Sequence, residues 1–136
     1  MNRVYRTPTH IIEIEVVGDQ TAASVRAMGI EAARLAAQLR REQRPVLVLD
    51  NLKRLGHTDS AARREVARIA RQLDFDRGAM LGDATPLMRL GTNLMLRAIG
   101  RPNLRYFASR DAALLWLTTD QPAQPGPEQD NAPVSS

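Results

Sequence analysis

The sequence has 136 residues, of which 43% are hydrophobic, and it contains no cysteine. This length accommodates one domain with a core of normal size, which needs neither a disulfide nor a structural metal. The lack of cysteine excludes disulfide scaffolds, Cys-ligated zinc and thiol catalysis, and it favours a reducing, cytoplasmic location. We expect no transmembrane segment, because no window approaches the roughly 18 apolar residues of a membrane helix.

The positive charge lies in the first part of the chain. The formal net charge is +4, and all 19 Lys and Arg residues, nearly all of them Arg, precede residue 120. Residues 119–136 contain Asp120, Glu128 and Asp130 together with half of the prolines, and they offer few apolar side chains to bury. Such a composition is typical of disorder. We therefore predict one domain over residues 1–118 and a disordered, acidic, Pro-rich tail over residues 119–136.

The chain begins with two candidate strands. Residues 4–6 form a short one, and in residues 12–16 Ile and Val alternate with Glu13 and Glu15. This alternation predicts a strand with one solvent-exposed face, which we expect to end at Gly18. Because the two strands are close in sequence, they are expected to form an antiparallel pair at one edge of a sheet.

A long helix is predicted next. Thr21 is the expected N-cap, and an apolar stripe with spacings of three and four continues to about Glu42. Gly29 lies in the middle of this helix, where it costs roughly 1 kcal/mol relative to Ala. Its presence therefore indicates a kink or a close approach by another element.

The middle of the chain predicts a central strand, a loop and a second helix. Residues 46–49 are apolar on both faces of a strand, which indicates a buried strand parallel to its neighbours. Residues 50–58 are then expected to form a loop, and residues 60–73 an amphipathic helix. Its inward side is predicted to consist of Val66, Ile69, Ala70 and Leu73.

The last elements are two short strands and two helices. Strands are predicted at residues 79–81 and 104–107, and Ser109 is expected to cap a helix over residues 111–117. Between the strands, Thr85 and Pro86 predict the start of a helix over residues 87–99. The alternation of strands and helices predicts an α/β fold with a mixed, mostly parallel sheet of four or five strands and four helices.

Three local patterns, together with this order of elements, resemble a known family. They are the strand-to-helix segment at residues 46–60, the turn Gly82-Asp83, and the closing run Arg105-Tyr106-Phe107 with the helix at residues 111–117. Over roughly residues 4–117 the chain resembles a STAS domain, most closely the SpoIIAA-like subgroup of small bacterial proteins. The resemblance implies a sheet wound as a β-α superhelix and a generally non-enzymatic role.

The resemblance also implies a regulatory phosphosite. In the anti-sigma-factor antagonists of this family, an Asp-Ser pair at the start of the second helix is phosphorylated on Ser to switch partners. This pattern carries over onto Asp59 and Ser60. From the residues alone, Thr58, Asp59 and Ser60 are N-capping residues, and an acid there complements the helix dipole. Both interpretations stay open.

A second candidate site is the interaction loop formed by Asp50, Asn51, His57, Thr58 and Asp59. Open α/β sheets bind ligands and partners at the carboxyl ends of their strands. The alternative is that these residues turn the chain, cap a helix and lie on the surface. Neither His has the spacing of a metal ligand, so we predict no catalytic residue, no metal and no cofactor.

A third candidate site depends on the helix predicted over residues 87–99. This helix is apolar nearly all round, so its apolar surface is larger than one face of a sheet normally covers. Either a neighbouring helix or partner subunit buries the excess, or a small apolar, lipid-like ligand does. The residues of this candidate pocket are Asp83, Thr85, Met88, Arg89 and Met95.

These observations predict a non-enzymatic, STAS-like regulatory or protein-interaction module that forms a homodimer. The alternative is a carrier or sensor of a small apolar or lipid-like ligand, held between the sheet and the Met-rich third helix. The Arg-rich surface does not indicate nucleic acid, because only five aromatic residues exist and most of them look structural. An acidic protein surface or an anionic lipid headgroup fits that surface better.

Overall fold

The computed structural model describes residues 1–83 and 103–119. The strands are β1 (Arg3–Arg6), β2 (Ile12–Gln20), β3 (Leu47–Thr58), β4 (Arg77–Leu81) and β5 (Leu104–Phe107). The described part also contains three helices, α1 (Ala22–Arg41), α2 (Ser60–Gln72) and α3 (Arg110–Thr118). The third of the four predicted helices, over residues 87–99, and the tail from residue 120 lie outside the described residues.

The five strands form one sheet in the order β1-β2-β3-β4-β5. β1 pairs antiparallel with β2 at the edge, and the other neighbours pair in parallel. The predictions of a mixed, mostly parallel sheet, an antiparallel edge pair and a central third strand are confirmed. Each strand thus lies beside the next one in the chain.

The helices begin at residues whose side chains replace missing backbone partners. Thr21 and Ser24 form a reciprocal capping box at α1, in which the Thr21 Oγ1 accepts from the Ser24 N–H at 3.2 Å. The Ser109 Oγ accepts from the Ala112 N–H at 3.2 Å at the start of α3. Both caps were predicted from the sequence, since a hydroxyl at this position satisfies an otherwise unpaired N–H.

Each face of the sheet has its own core cluster. On one face, α1 packs on a cluster of buried residues that are Ile12, Leu35, Ala36, Leu39, Val46, Val48 and Phe75. On the other face, α3 packs on Ile11, Leu49, Ala79, Leu81, Ala113 and Leu117. Because successive residues of a strand point to opposite faces, the apolar run that starts β3 supplies both clusters. This explains why the run has no polar alternation.

Three predictions about exposure and strand length are wrong. Glu13 was expected on a solvent-exposed face, but α3 covers that face and only 1% of Glu13 is exposed. Val66 was expected to point inward from α2, but 44% of it is exposed. β2 continues past Gly18 to Gln20 because it pairs with a longer β3 than the sequence predicted.

Among the described residues, no helix is both long and apolar enough to span a membrane.

Candidate interaction site at the carboxyl end of the sheet

β2 and β3 extend beyond the rest of the sheet as a two-stranded parallel ribbon. β1 pairs with β2 only as far as Glu15, and β4 pairs with β3 only as far as Asn51. Past these residues β2 and β3 remain paired with each other, with two register shifts. We call residues 17–20 and 52–58 the β2–β3 ribbon. The predicted loop over residues 50–58 is therefore wrong, because tertiary pairing with β2 makes this segment a strand.

Side chains close the outer edge of β2 in the ribbon. The Asn2 Oδ1 accepts from the Val17 N–H at 2.9 Å, and the Gln20 Nε2 donates to the carbonyl of Gly18 at 3.0 Å. Gln20 is only 4% exposed, and its Oε1 accepts from the Asn2 Nδ2 at 2.8 Å. Gly18 has a φ of 80°, a conformation that glycine adopts without strain. These bonds leave β2 with few groups to offer another strand.

The two strands of the ribbon are also joined through Asp19. Its Oδ1 accepts from the His57 N–H at 2.8 Å. A Cβ at Gly56 would overlap this Oδ1 and would lie 2.9 Å from the carbonyl carbon of Gly18. Glycine at position 56 therefore permits the close approach that the Asp19–His57 bond requires.

The outer edge of β3 is much more open. Residues 53–57 are all exposed. Among the described residues, the backbone of residues 52–58 pairs in strand fashion with β2 alone. Side chains bind two backbone groups of this segment locally: the Asn51 Oδ1 accepts from the Lys53 N–H at 3.1 Å, and Arg63 donates to the Thr58 carbonyl. An exposed strand edge of this kind can accept a further strand.

Asp59 begins α2 at the end of the ribbon. Its Oδ1 accepts from the Ala62 N–H at 2.8 Å, so Asp59 is the N-cap among the three candidates. Ser60 is exposed, and its Oγ accepts from the Arg63 Nη2 at 3.2 Å. Arg63 also donates to the carbonyl of Thr58 at 2.5 Å. The helix start is thus complete without a modification of Ser60, whose hydroxyl faces an arginine.

Cations without an acidic partner are concentrated at this end of the molecule. Eight described arginines form ion pairs, namely Arg3, Arg6, Arg26, Arg34, Arg40, Arg44, Arg68 and Arg110. Arg41 and Arg71, which lie away from this end, form none with the described residues, and the same holds for Lys53, Arg54, Arg63 and Arg64. The acids beside them, Asp19 and Asp59, already accept from backbone N–H groups. We call these four cations the basic end.

Asp50 lies apart from the basic end, inside the sheet. It pairs in register with Ile14 of β2 and Met80 of β4, and it shares the face of Val48 that α1 covers. The residue as a whole is partly exposed, but its carboxyl group is buried, and the Oδ1 has no hydrogen-bond partner among residues 1–83 and 103–119. Burial raises the pKa of Asp50 from 3.8 to about 7, because a charged carboxylate is poorly solvated there.

The residues of the predicted interaction loop are therefore divided. His57, Thr58 and Asp59 lie together at the end of the ribbon, where His57 and Asp59 are exposed. Asn51 is in β3 and binds the N–H of Lys53, whereas Asp50 is directed into the interior. Sequence reasoning did not place Lys53 and Arg54 in the site, although two adjacent cations between apolar residues could have indicated it.

Most of the predicted ligand pocket lies outside the described residues, namely Thr85, Met88, Arg89 and Met95. The remaining member, Asp83, is exposed, and its carbonyl accepts from the Tyr106 hydroxyl at 3.1 Å. The described part has instead an open groove of about 460 Å³ between α1 and α2. Gly29 allows this packing, since a Cβ there would lie 2.6 Å from the Ile69 Cδ1. The close approach predicted at Gly29 is confirmed.

A buried ion pair on the other face was missed entirely. The Arg110 guanidinium donates to both carboxylate oxygens of Glu13, at 3.0 and 2.7 Å. Tyr5 is the register neighbour of Glu13, and its pKa is raised by burial and then by the charge of Glu13. No local pattern links residues so far apart in the chain.

Within the described residues, no group of His, Asp and Glu is arranged to hold a metal ion.

The sheet has five mostly parallel strands in sequence order, an antiparallel edge and helices on both faces. This is the SpoIIAA-like fold, which is compatible with a regulatory or interaction module. The chain belongs to the SpoIIAA-like family, whose model matches residues 11–118. The resemblance inferred from the sequence is therefore confirmed.

Several solved structures share the fold, among them the following two. One is an uncharacterized protein of the DUF3478 family with a SpoIIAA-like fold from Shewanella loihica PV-4, with a TM-score of 0.64 and 18% identity, covering 86% of this chain and 92% of that one. The other is the anti-sigma factor antagonist SpoIIAA in its unphosphorylated form, with a TM-score of 0.54 and 14% identity, covering 85% and 94%. No curated protein matches the chain.

Proposed function

We propose that this chain is a non-enzymatic regulatory module that binds an acidic surface of a partner protein through its basic end. The observation that supports the proposal is the group of four cations, Lys53, Arg54, Arg63 and Arg64, which have no acidic partner in the described part of the chain. Complementary charge on a partner increases the association rate and favours the correct partner.

A protein partner fits this surface better than a nucleic acid. Sequence-tolerant binding of single strands uses aromatic side chains on which bases stack, and residues 52–64 contain no Phe, Tyr or Trp. The exposed apolar side chain there is Leu55, of which 39% is accessible. A small apolar contact surrounded by charges is typical of protein interfaces.

Ser60 offers a means of regulation. A phosphate on its Oγ would lie beside the guanidinium of Arg63 and the first N–H groups of α2. It would add a charge of about −1.5 to −2 and offset part of the basic end. We therefore propose that phosphorylation weakens binding of an acidic partner. Mass spectrometry of the protein from its native cells tests this, and Ser60 found unmodified under all growth conditions would exclude it.

A charge-reversal experiment tests the main proposal. The partner is captured by crosslinking in native cells, and its affinity is then measured with purified proteins over a range of salt concentrations. The double variant R54E/R64E should weaken binding at least about tenfold and reduce its salt dependence. R41E/R71E is the matched control, because it makes the same change in net charge at two exposed arginines away from the basic end. Equal affinity for both variants would contradict the proposal.

A second candidate function is the carriage or sensing of a small apolar or lipid-like ligand. The groove between α1 and α2 favours it, since about 460 Å³ lies within the range of ligand pockets and Ile30 in its lining is 67% exposed. However, the arginines that flank this groove already have acidic partners. Native mass spectrometry after gentle purification distinguishes the candidates by a retained ligand mass, and it also tests the predicted homodimer.

A further inference from the structure

The outer edge of β3 differs from the edge of β2 in the same ribbon. On β2, the side chains of Asn2 and Gln20 occupy backbone groups. On β3, residues 53–57 are exposed, and among the described residues side chains occupy only the N–H groups of Lys53 and His57 and the carbonyl of Thr58. Alternate backbone groups of a strand point to opposite sides, so part of the N–H and C=O groups of residues 52–58 face away from β2.

Charge decides which strand this edge accepts. Lys53 and Arg54 are consecutive, so their side chains project from opposite faces of the strand. An added strand would therefore meet a cation on each of its faces, with the exposed Leu55 as an apolar contact on the face of Lys53. A second copy of the chain would bring like charges into opposition, which destabilises strand pairing. An acidic strand would gain from the same arrangement.

We propose that an extended acidic segment of the partner adds to β3 along residues 52–58 as a sixth strand of the sheet. This inference rests on the proposed function and names the form of the partner. The backbone hydrogen bonds supply affinity, and the basic end selects acidic side chains on the added strand. The edge is as long as an ordinary strand, so a short peptide suffices to occupy it.

The probe is a synthetic peptide with glutamates on both faces of the strand, Glu-Glu-Val-Val-Glu-Glu-Val, added to the full-length protein. We expect chemical-shift changes and slowed amide exchange along residues 52–58, and nuclear Overhauser contacts between the peptide backbone and β3. A control peptide of the same sequence carries N-methyl groups on alternate residues, which remove donors and obstruct strand pairing but preserve charge. It should bind at least about tenfold more weakly, because several hydrogen bonds are lost.

The outcomes separate the two proposals. Equal binding of both peptides, with shifts confined to Arg63, Arg64 and the start of α2, would overturn strand addition and leave the acidic-partner function intact. Binding of neither peptide at millimolar concentration would overturn both. The variant K53E/R54E should abolish binding of the acidic peptide, whereas R41E/R71E should leave it unchanged. An unchanged affinity of K53E/R54E would also overturn the inference.

Discussion

Arg110 and Glu13 form a bidentate ion pair between the first residue of α3 and the start of β2. The two partners differ in environment, since the Glu13 side chain is 2% exposed and the Arg110 side chain is 46% exposed. Loss of Arg110 would leave a carboxylate in the interior without a cation, whereas loss of Glu13 would leave an arginine that can reach water. The two deletions are therefore not equivalent.

We predict that Arg110→Ala destabilises the protein by about 3 kcal/mol or more, because it leaves the buried Glu13 carboxylate without a cation. Glu13→Gln should destabilise the protein less, because it leaves no buried charge. Urea unfolding measures both free energies. Arg34→Ala is the control, since its exposed partner Glu31 is on the same helix and such pairs contribute about 0.5 kcal/mol or less. An Arg110→Ala loss no larger than that of Arg34→Ala would contradict the burial of Glu13.

Asp50 makes stability dependent on pH. Its pKa is about 7 in the folded protein and close to the ordinary 3.8 in the unfolded chain, so the unfolded chain releases this proton first. The free energy of unfolding therefore falls as the pH rises from about 4 to about 7, and the loss is complete above pH 7. Asp50→Asn should remove this loss, which amounts to roughly 4 kcal/mol at most since one pKa unit corresponds to about 1.4 kcal/mol.

Denaturation of wild type and Asp50→Asn at pH 4 and pH 8 checks this prediction. The gain from the substitution should be small at pH 4 and large at pH 8. Asp83→Asn provides the comparison, because Asp83 is exposed at the end of the neighbouring strand. A gain from Asp50→Asn that is the same at both pH values would show that the Asp50 carboxyl is solvated in the folded protein.

Capping and regulation at the start of α2 can be separated. Asp59→Ala removes the acceptor of the Ala62 N–H and should cost about 1 kcal/mol. Ser60→Ala removes no capping bond and should lie within about 0.5 kcal/mol of wild type. Thermal unfolding of both variants measures the difference. If Ser60→Ala were as costly as Asp59→Ala, Ser60 would carry a structural role that the hydrogen bonds here do not assign to it.

Gly56→Ala tests the ribbon. The added Cβ would displace the Asp19 carboxylate and separate the strands at Gly18, so we expect loss of the His57–Asp19 bond, faster amide exchange in residues 54–58 and a cost of about 1–3 kcal/mol. Gly18→Ala is the matched control, because its Cβ would contact nothing within 4 Å and would cost only the strain of a φ of 80°. Unchanged exchange in Gly56→Ala would contradict the close approach.

Local signals predicted most of the fold. Thr21 and Ser109 mark helix starts because capping is a bond between neighbours, and the apolar run before Asp50 marks the central strand because both its faces are buried. The sequence analysis ended both β2 and β3 too early, and the reason is the same for the two strands. Gly18 and Gly56 indicate turns when each segment is considered alone, whereas each segment is a strand because it pairs with the other.

The candidate site was predicted only in part. The Asp59 cap and the exposed His57 follow from sequence, but the position of Asp50 depends on which face α1 covers. The burial of Glu13 depends on α3, which begins 97 residues later. The basic end depends on where cations without an acidic partner lie together, and that is a property of the packed surface rather than of any stretch of sequence.

The strand order has a consequence for how the chain reaches its native state. Since every strand docks beside its predecessor, the sheet can grow one strand at a time as the polypeptide leaves the ribosome. The burial of the Glu13 carboxylate cannot be completed in this way, because the carboxylate remains solvated until α3 packs on the sheet and Arg110 binds it. Completion of the C-terminal helix is therefore expected to be the last cooperative step, and nascent chains that end before residue 110 should remain sensitive to protease along β1 and β2.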